Sequence, residues 1–125
     1  SQFAYAWRSV LDAGGKVAFG SDFPVEDPEP LLGLYAARTR QDAEGLPKGG
    51  WMPEQRVTGE EALAGFTAGA AYAAFSEATQ GQLAPGFAAD FVALDVDPVD
   101  DAPGKLLKAK VLLTVSDGRE VFRAK

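Results

Sequence analysis

The sequence predicts a mixed α/β chain in which helix exceeds strand and a small antiparallel sheet closes the C-terminal part. Three observations carry this. An amphipathic stretch, a glycine pair and an apolar run follow one another over residues 3–19, the order of half a βαβ unit. The hydrophobic period changes from helical to alternating between about Ser76 and Pro85. Finally, Asp117-Gly118 separates two β-rich runs, and Asp-Gly is a strong hairpin signal because both central positions take positive φ.

Taken in order, Phe3, Ala6, Trp7, Val10 and Leu11 recur at helical spacing, so Phe3 to Ala13 is predicted to be a helix with one buried face. Gly14-Gly15 ends it, as glycine does beyond a helix C-terminus. Lys16 then opens a short buried strand, Val17-Ala18-Phe19. The strand runs into the turn Gly20-Ser21-Asp22, and Pro24 stops further ladder pairing. Such a strand delivers one carboxylate to its C-terminal tip, the edge where parallel α/β folds bind ligands. Asp is also at home in turns, so Asp22 reads either as a brace of the turn or as a site carboxylate.

Glu26-Asp27-Pro28-Glu29-Pro30 leads into a second helix, buried through Leu31, Leu34 and Tyr35 and running to about Asp42. Proline suits a first turn and acids there oppose the positive end of the helix dipole, so these acids read first as caps and second as metal ligands beside Asp22. Glu44 to Pro53 has no periodicity and several glycines and prolines, hence a loop. Within it, Trp51 and Met52 either line a substrate pocket or, for Trp51, pack the loop down. Thr58 to Glu61 has the form of a capping box. The helix it starts is expected to reach about Phe75, with Leu63, Phe66, Ala70 and Ala74 as its buried stripe and Phe75 near its end. Gly65 and Gly69 inside it, each costing roughly 1 kcal/mol against Ala, imply a close backbone approach. Phe91 to Asp95 alternates as a strand. The acidic loop Asp95–Asp101 lacks the glycine and the final Glu of an EF-hand and reads as solvated. Lys110–Ser116 and Arg119–Arg123 are the arms of the hairpin.

Composition narrows the chemistry. With 125 residues the chain is too short for a whole (β/α)₈ barrel, which takes roughly 250. A net charge of −6 disfavours nucleic acid and anionic membrane surfaces as partners. No apolar run approaches the roughly 20 residues of a membrane span, and the first residues do not have the form of a signal peptide. The chain does not begin with Met and is read as an excerpt or a processed piece. The absence of Cys excludes disulfides and thiolate chemistry and is compatible with a cytoplasmic location. The absence of His excludes a Ser-His-Asp triad and imidazole ligation of zinc within these residues.

Three stretches resemble a known family. Gly20-Ser21-Asp22-Phe23-Pro24-Val25 resembles the end of the eighth barrel strand in the amidohydrolase superfamily, in particular its YtcJ-like (amidohydrolase 3) branch. Thr58-Gly59-Glu60-Glu61-Ala62-Leu63 through Gly69-Ala70-Ala71-Tyr72-Ala73 resembles the following helix of that branch. Gly81 to Asp95 resembles its G-x-L-x-P-G-x-x-A-D-x-V-x-L-D passage into a C-terminal β-sandwich. The three occur in the family's order and cover nearly the whole chain, as the last part of a longer enzyme.

The resemblance implies a TIM-like (β/α)₈ metal-dependent hydrolase barrel, whose last strand and helices would be residues 1–79, followed by C-terminal strands of a composite β-sandwich in residues 80–125. It implies hydrolysis of C–N bonds in non-peptide amides of a small-molecule substrate, with a divalent metal, Zn²⁺ by expectation, in the full-length parent. By position, Asp22 is the aspartate that ligates the metal and serves as general acid/base. One Asp cannot hold a catalytic Zn²⁺, which takes three protein ligands, so the isolated chain is expected to be inactive and metal-free. Its unpaired strand edges invite self-association. The alternative reading is a non-catalytic, self-associating structural module derived from such an enzyme.

Overall fold

In the computed structural model, which describes residues 4–125, the chain runs α1 (Trp7–Asp12), α2 (Pro30–Thr39), α3 (Gly59–Phe66), α4 (Ala68–Ala73), β1 (Phe91–Leu94), β2 (Val111–Ser116) and β3 (Arg119–Arg123). Short 3₁₀ helices lie at Pro53–Gln55 and Pro103–Lys108. The result is mixed α/β with a small antiparallel sheet, as the sequence predicts. No helix among the described residues is long and apolar enough to cross a membrane.

α1 is shorter than the expected span of Phe3 to Ala13; Phe3 lies outside the described residues. Tyr5 takes φ 52°, and its carbonyl accepts from both the Trp7 amide (2.9 Å) and Arg40 Nη1 (3.0 Å), so it is engaged outside a helical ladder. Gly14 ends the helix at φ 80°, the left-handed conformation glycine tolerates.

The buried strand expected at residues 16–19 does not form. Residues 15–20 take no regular secondary structure: no described segment lies beside them to complete a ladder, and a parallel partner needs a crossover from elsewhere in the chain. Val17 and Phe19 are half-buried while Ala18 and Gly20 are exposed, the alternation of a strand covered on one face only.

α2 begins with Pro30 at its first position, where a missing N–H costs nothing. It stops three residues before the expected Asp42, because Arg40 turns left-handed (φ 62°) to cap it. α2 is the centre of the core. Leu31, Leu34, Tyr35 and Ala37 pack with Val57, Ala62 of α3 and Leu106 of the second 3₁₀ helix. That 3₁₀ helix was not foreseen, yet Leu106 is only 2% exposed.

Thr58 caps α3 with the expected capping box: its hydroxyl accepts from the Glu61 amide (3.2 Å), and Glu61 Oε2 accepts from the Thr58 amide (2.8 Å). The single helix expected to reach Phe75 is instead two, broken at Thr67 (φ −119°, ψ −91°). The buried positions are Ala62, Gly65 and Ala71, whereas Leu63, Phe66 and Ala70 are half-buried and Ala74 is exposed. Phe75 lies outside the helix at φ 57° and is 93% exposed. The predicted stripe was displaced because α3 and α4 turn their smallest residues toward residues 17–19. A Cβ on Gly69 would lie 2.2 Å from the Val17 carbonyl oxygen, the close approach that the two glycines implied.

The sheet has the order β1-β2-β3, with both pairs antiparallel and with Val92, Thr114 and Phe122 in one row. Asp117 (φ 49°) and Gly118 (φ 72°) make the expected two-residue hairpin turn. Two aspartates staple it. Asp90 Oδ1 accepts from the Asp117 amide (2.7 Å), and Asp95 Oδ1 accepts from the Lys110 amide (2.7 Å).

Candidate functional site

Asp22 stands in the turn that follows residues 15–21, at φ 51°, a conformation few residues other than Gly, Asn and Asp adopt. The turn around it is closed by main-chain bonds: Val25 N–H donates to the Asp22 carbonyl (2.9 Å) and Glu26 N–H to the Ser21 carbonyl (3.2 Å). The carboxylate folds back over Gly20, where a Cβ would sit 3.3 Å from Asp22 Oδ1. The side chain is exposed and makes no hydrogen bond among the described residues. Asp27 does what a capping acid does, its Oδ1 accepting from the Glu29 amide at 3.0 Å on the way into α2. Glu26 and Glu29 are exposed. A cavity of about 430 Å³ opens beside this tip, lined by Phe19, Ser21, Glu26, Asp27, Tyr35 and Phe66 among others.

The loop 44–53 is pinned rather than open. Trp51 N–H donates to the Arg40 carbonyl (2.8 Å), and Arg40 Nε donates back to the Trp51 carbonyl (2.9 Å). The guanidinium lies between two rings, 4.4 Å from the Trp7 centroid and 4.8 Å from that of Trp51. Arg40 is 7% exposed, and this burial pushes its pKa below the usual arginine value, with Glu54 acting in the opposite direction. Trp51 therefore packs the loop down, the second of its two readings, and Met52 is half-buried beside it at φ 48°. Nothing in the linear pattern marked Arg40. It is an isolated cation at a helix end, and its aromatic partners lie 33 residues before and 11 after it.

On the other side of α2, Arg38 donates to the carbonyls of Pro98 (2.9 Å) and Asp101 (2.8 Å), tying the acidic loop to the helix. That loop is ordered by its own aspartates: Asp97 Oδ1 accepts from the amides of Val99 (2.8 Å) and Asp100 (3.0 Å). These two bonds hold the Asp97 carboxyl below the usual carboxylate range.

The amidohydrolase family model matches residues 1–122. The chain belongs to the amidohydrolase family. It is 37% identical over 111 residues to the N-substituted formamide deformylase of Arthrobacter pascens, an alignment covering 89% of this chain and 20% of that protein. It is 31% identical over 119 residues to the protein YtcJ of Bacillus subtilis (strain 168), covering 95% of this chain and 22% of that one. The crystal structure of an amidohydrolase from Thermotoga maritima superposes with a TM-score of 0.66 at 26% identity, over 96% of this chain and 26% of that one. The chain thus spans about a fifth of the length of the curated relatives it matches.

Among the described residues of this amidohydrolase chain, no three His, Cys, Asp or Glu side chains come together in a way that would hold a metal ion. Asp22 is an exposed carboxylate, whereas a catalytic zinc takes three protein ligands and an open position. The donors present do not fit a complete metal centre. The aspartates of the family-like passage from Gly81 to Asp95 have a different use, since Asp90 and Asp95 spend their carboxylates on main-chain amides of the sheet.

Proposed function

We propose that this chain is the C-terminal portion of a metal-dependent amidohydrolase that cleaves C–N bonds in small-molecule, non-peptide amides. In this reading residues 1–79 are the end of the catalytic (β/α)₈ barrel, with 16–22 its last strand, and residues 80–125 are C-terminal strands of a composite β-sandwich. Asp22 contributes one carboxylate ligand to a divalent metal, zinc by the chemistry of the family, and is the group that holds and returns a proton during C–N cleavage. The other ligands come from outside residues 4–125, and the 125-residue chain by itself is inactive. The observation that supports this most is the position of Asp22: a carboxylate with no hydrogen bond among the described residues, in a left-handed conformation, in the turn after the apolar run Val17–Phe19, inside a family match over residues 1–122. The likeness to the N-substituted formamide deformylase of Arthrobacter pascens supports a formamide-like or N-acylated substrate.

The test compares the longest product of the gene with the 125-residue chain. Metal is measured in both, and hydrolysis is screened on N-substituted formamides, N-acyl amines and cyclic amides. Metal and turnover in the long form only, with Asp22→Asn lowering kcat by about 10²- to 10⁴-fold, is the expected result. Stoichiometric metal in the short chain, or full activity in Asp22→Asn, overturns the reading.

A second property is proposed for the isolated chain: it self-associates. Phe23, Val25, Phe75 and Leu83 are each at least two-thirds exposed, and Val121 and Phe122 stand exposed on the last strand. Light scattering is expected to give a mass above that of one chain, increasing with concentration. A single-chain mass at every concentration would remove this proposal.

A further inference from the structure

From Lys16 to Pro24 the main chain makes one hydrogen bond to another element among the described residues, from the Phe19 amide to the Gly65 carbonyl of α3 (3.0 Å). The Phe19 ring is seated at the same point. It meets Trp7 edge-on (centroids 5.1 Å apart) and tilts on Phe66 (5.5 Å). It also fills the space a side chain at position 65 would need: a Cβ on Gly65 would lie 2.4 Å from Phe19 Cδ2 and 2.7 Å from Cε2. The arrangement repeats one layer further in. Phe66 occupies the corresponding space at Gly33 of α2, where a Cβ would lie 2.4 Å from its Cζ. Two glycine sockets therefore stand in series, Gly33 receiving Phe66 and Gly65 receiving Phe19, and the second ring is three residues ahead of Asp22.

The glycine in α3 works against its own helix, which alanine would favour by roughly 1 kcal/mol. Admitting the Phe19 ring is what the missing side chain makes possible. Because the ring is rigid and held on its other sides by Trp7 and Phe66, a methyl group at position 65 displaces it by about an ångström before contacts return to van der Waals distance, and the attached main chain moves with it.

We propose that Phe19 and Gly65 act as a pair of positioning residues for Asp22: the glycine socket fixes the ring, and the ring fixes where the turn that follows presents the carboxylate. This rests on Asp22 being the acid/base group of the enzyme. Displacements of about 1 Å at a reacting group cost up to about 10²-fold in rate, so the socket is a determinant of turnover without touching substrate.

The experiment uses the full enzyme and the amide it turns over fastest in the screen. Gly65→Ala, Phe19→Leu, the double variant and Asp22→Asn are compared for kcat, KM, the acid limb of the pH profile and the thermal midpoint. Gly65→Ala is expected to lower kcat, per folded enzyme, by at least about tenfold with KM changed less than about threefold, and to move the acid limb. Phe19→Leu makes room for the new methyl, so the double variant recovers to within about threefold of Phe19→Leu alone. Gly65→Ala with unchanged kcat and pH profile, or a double variant no better than Gly65→Ala, overturns the proposal. If Asp22→Asn keeps full activity, or the screen finds no substrate, the assignment beneath it falls as well. Thermal coupling between positions 19 and 65 then survives as packing only, which separates the two failures.

Discussion

Residues 16–28 and residues 89–123 are held in opposite ways. The first is unladdered, tethered by the Phe19 amide and ring, and it ends in a turn whose carboxylates are exposed. The second is a three-stranded antiparallel sheet with its hairpin stapled by Asp90 and its first pair stapled by Asp95. The difference follows from where each finds its partner. β2 and β3 are joined by two residues, so a local turn brings them together at little entropic cost, whereas a parallel strand needs a crossover of a dozen residues or more. The more weakly held stretch carries the candidate site carboxylate. That fits a site placed at the end of a segment rather than within a ladder.

Breaking the core that both stretches lean on has the largest expected effect. Leu106 is 2% exposed against α2, which also supports Phe66 through Gly33, so Leu106→Ala is expected to cost about 2–5 kcal/mol in urea unfolding. A loss under about 1 kcal/mol would mean that the 3₁₀ helix is not part of that core. Next comes the hairpin. Gly118 sits at φ 72°, so Gly118→Val is expected to cost roughly 1–2 kcal/mol, with amide exchange quickening in β2 and β3 while the Phe19 amide is unchanged. Exchange quickening equally at Phe19 would show that the two stretches are not independently held.

A smaller effect is expected in the loop that Arg38 ties to α2. The Asp97 carboxyl is depressed by the amides of Asp100 and Val99, so its contribution is fully present above the unfolded value of about 4 and is lost as pH falls through the lower folded value. Asp101 is depressed too, by its hydrogen bond from Lys105 and by the Asp97 amide. Asp97→Asn is therefore expected to flatten the acid side of the stability profile below about pH 4 and leave neutral pH nearly unaffected by titration. An unchanged acid limb counts against those bonds. The smallest effect is the sharpest contrast: Asp22→Asn is expected to change stability by less than about 0.5 kcal/mol, since the side chain is exposed and unbonded, although it is expected to abolish most turnover. A large loss of stability would return Asp22 to the role of a turn brace.

The sequence by itself determined the features that need only a few neighbouring residues. Thr58 and Glu61 cap α3, Pro30 opens α2, and Asp117-Gly118 turns the hairpin, because each solves a backbone problem within one turn of chain. The turn at Asp22 was legible for the same reason, as was the family, from motifs in fixed order. What only the tertiary structure decided is which surface meets which. Periodicity reports that a helix has a buried face, but small and large residues compete for it. In α3 the contact with residues 17–19 went to Gly65, leaving Leu63 and Phe66 half-buried. Arg40 is buried between Trp7 and Trp51 only because α1 and a loop converge on one helix end, and no local pattern encodes that meeting. An apolar run such as 17–19 carries the preference for an extended backbone, but a ladder also requires a second strand at hydrogen-bonding distance. Among the described residues none is there, so the segment takes the glycine face of α3 as its neighbour.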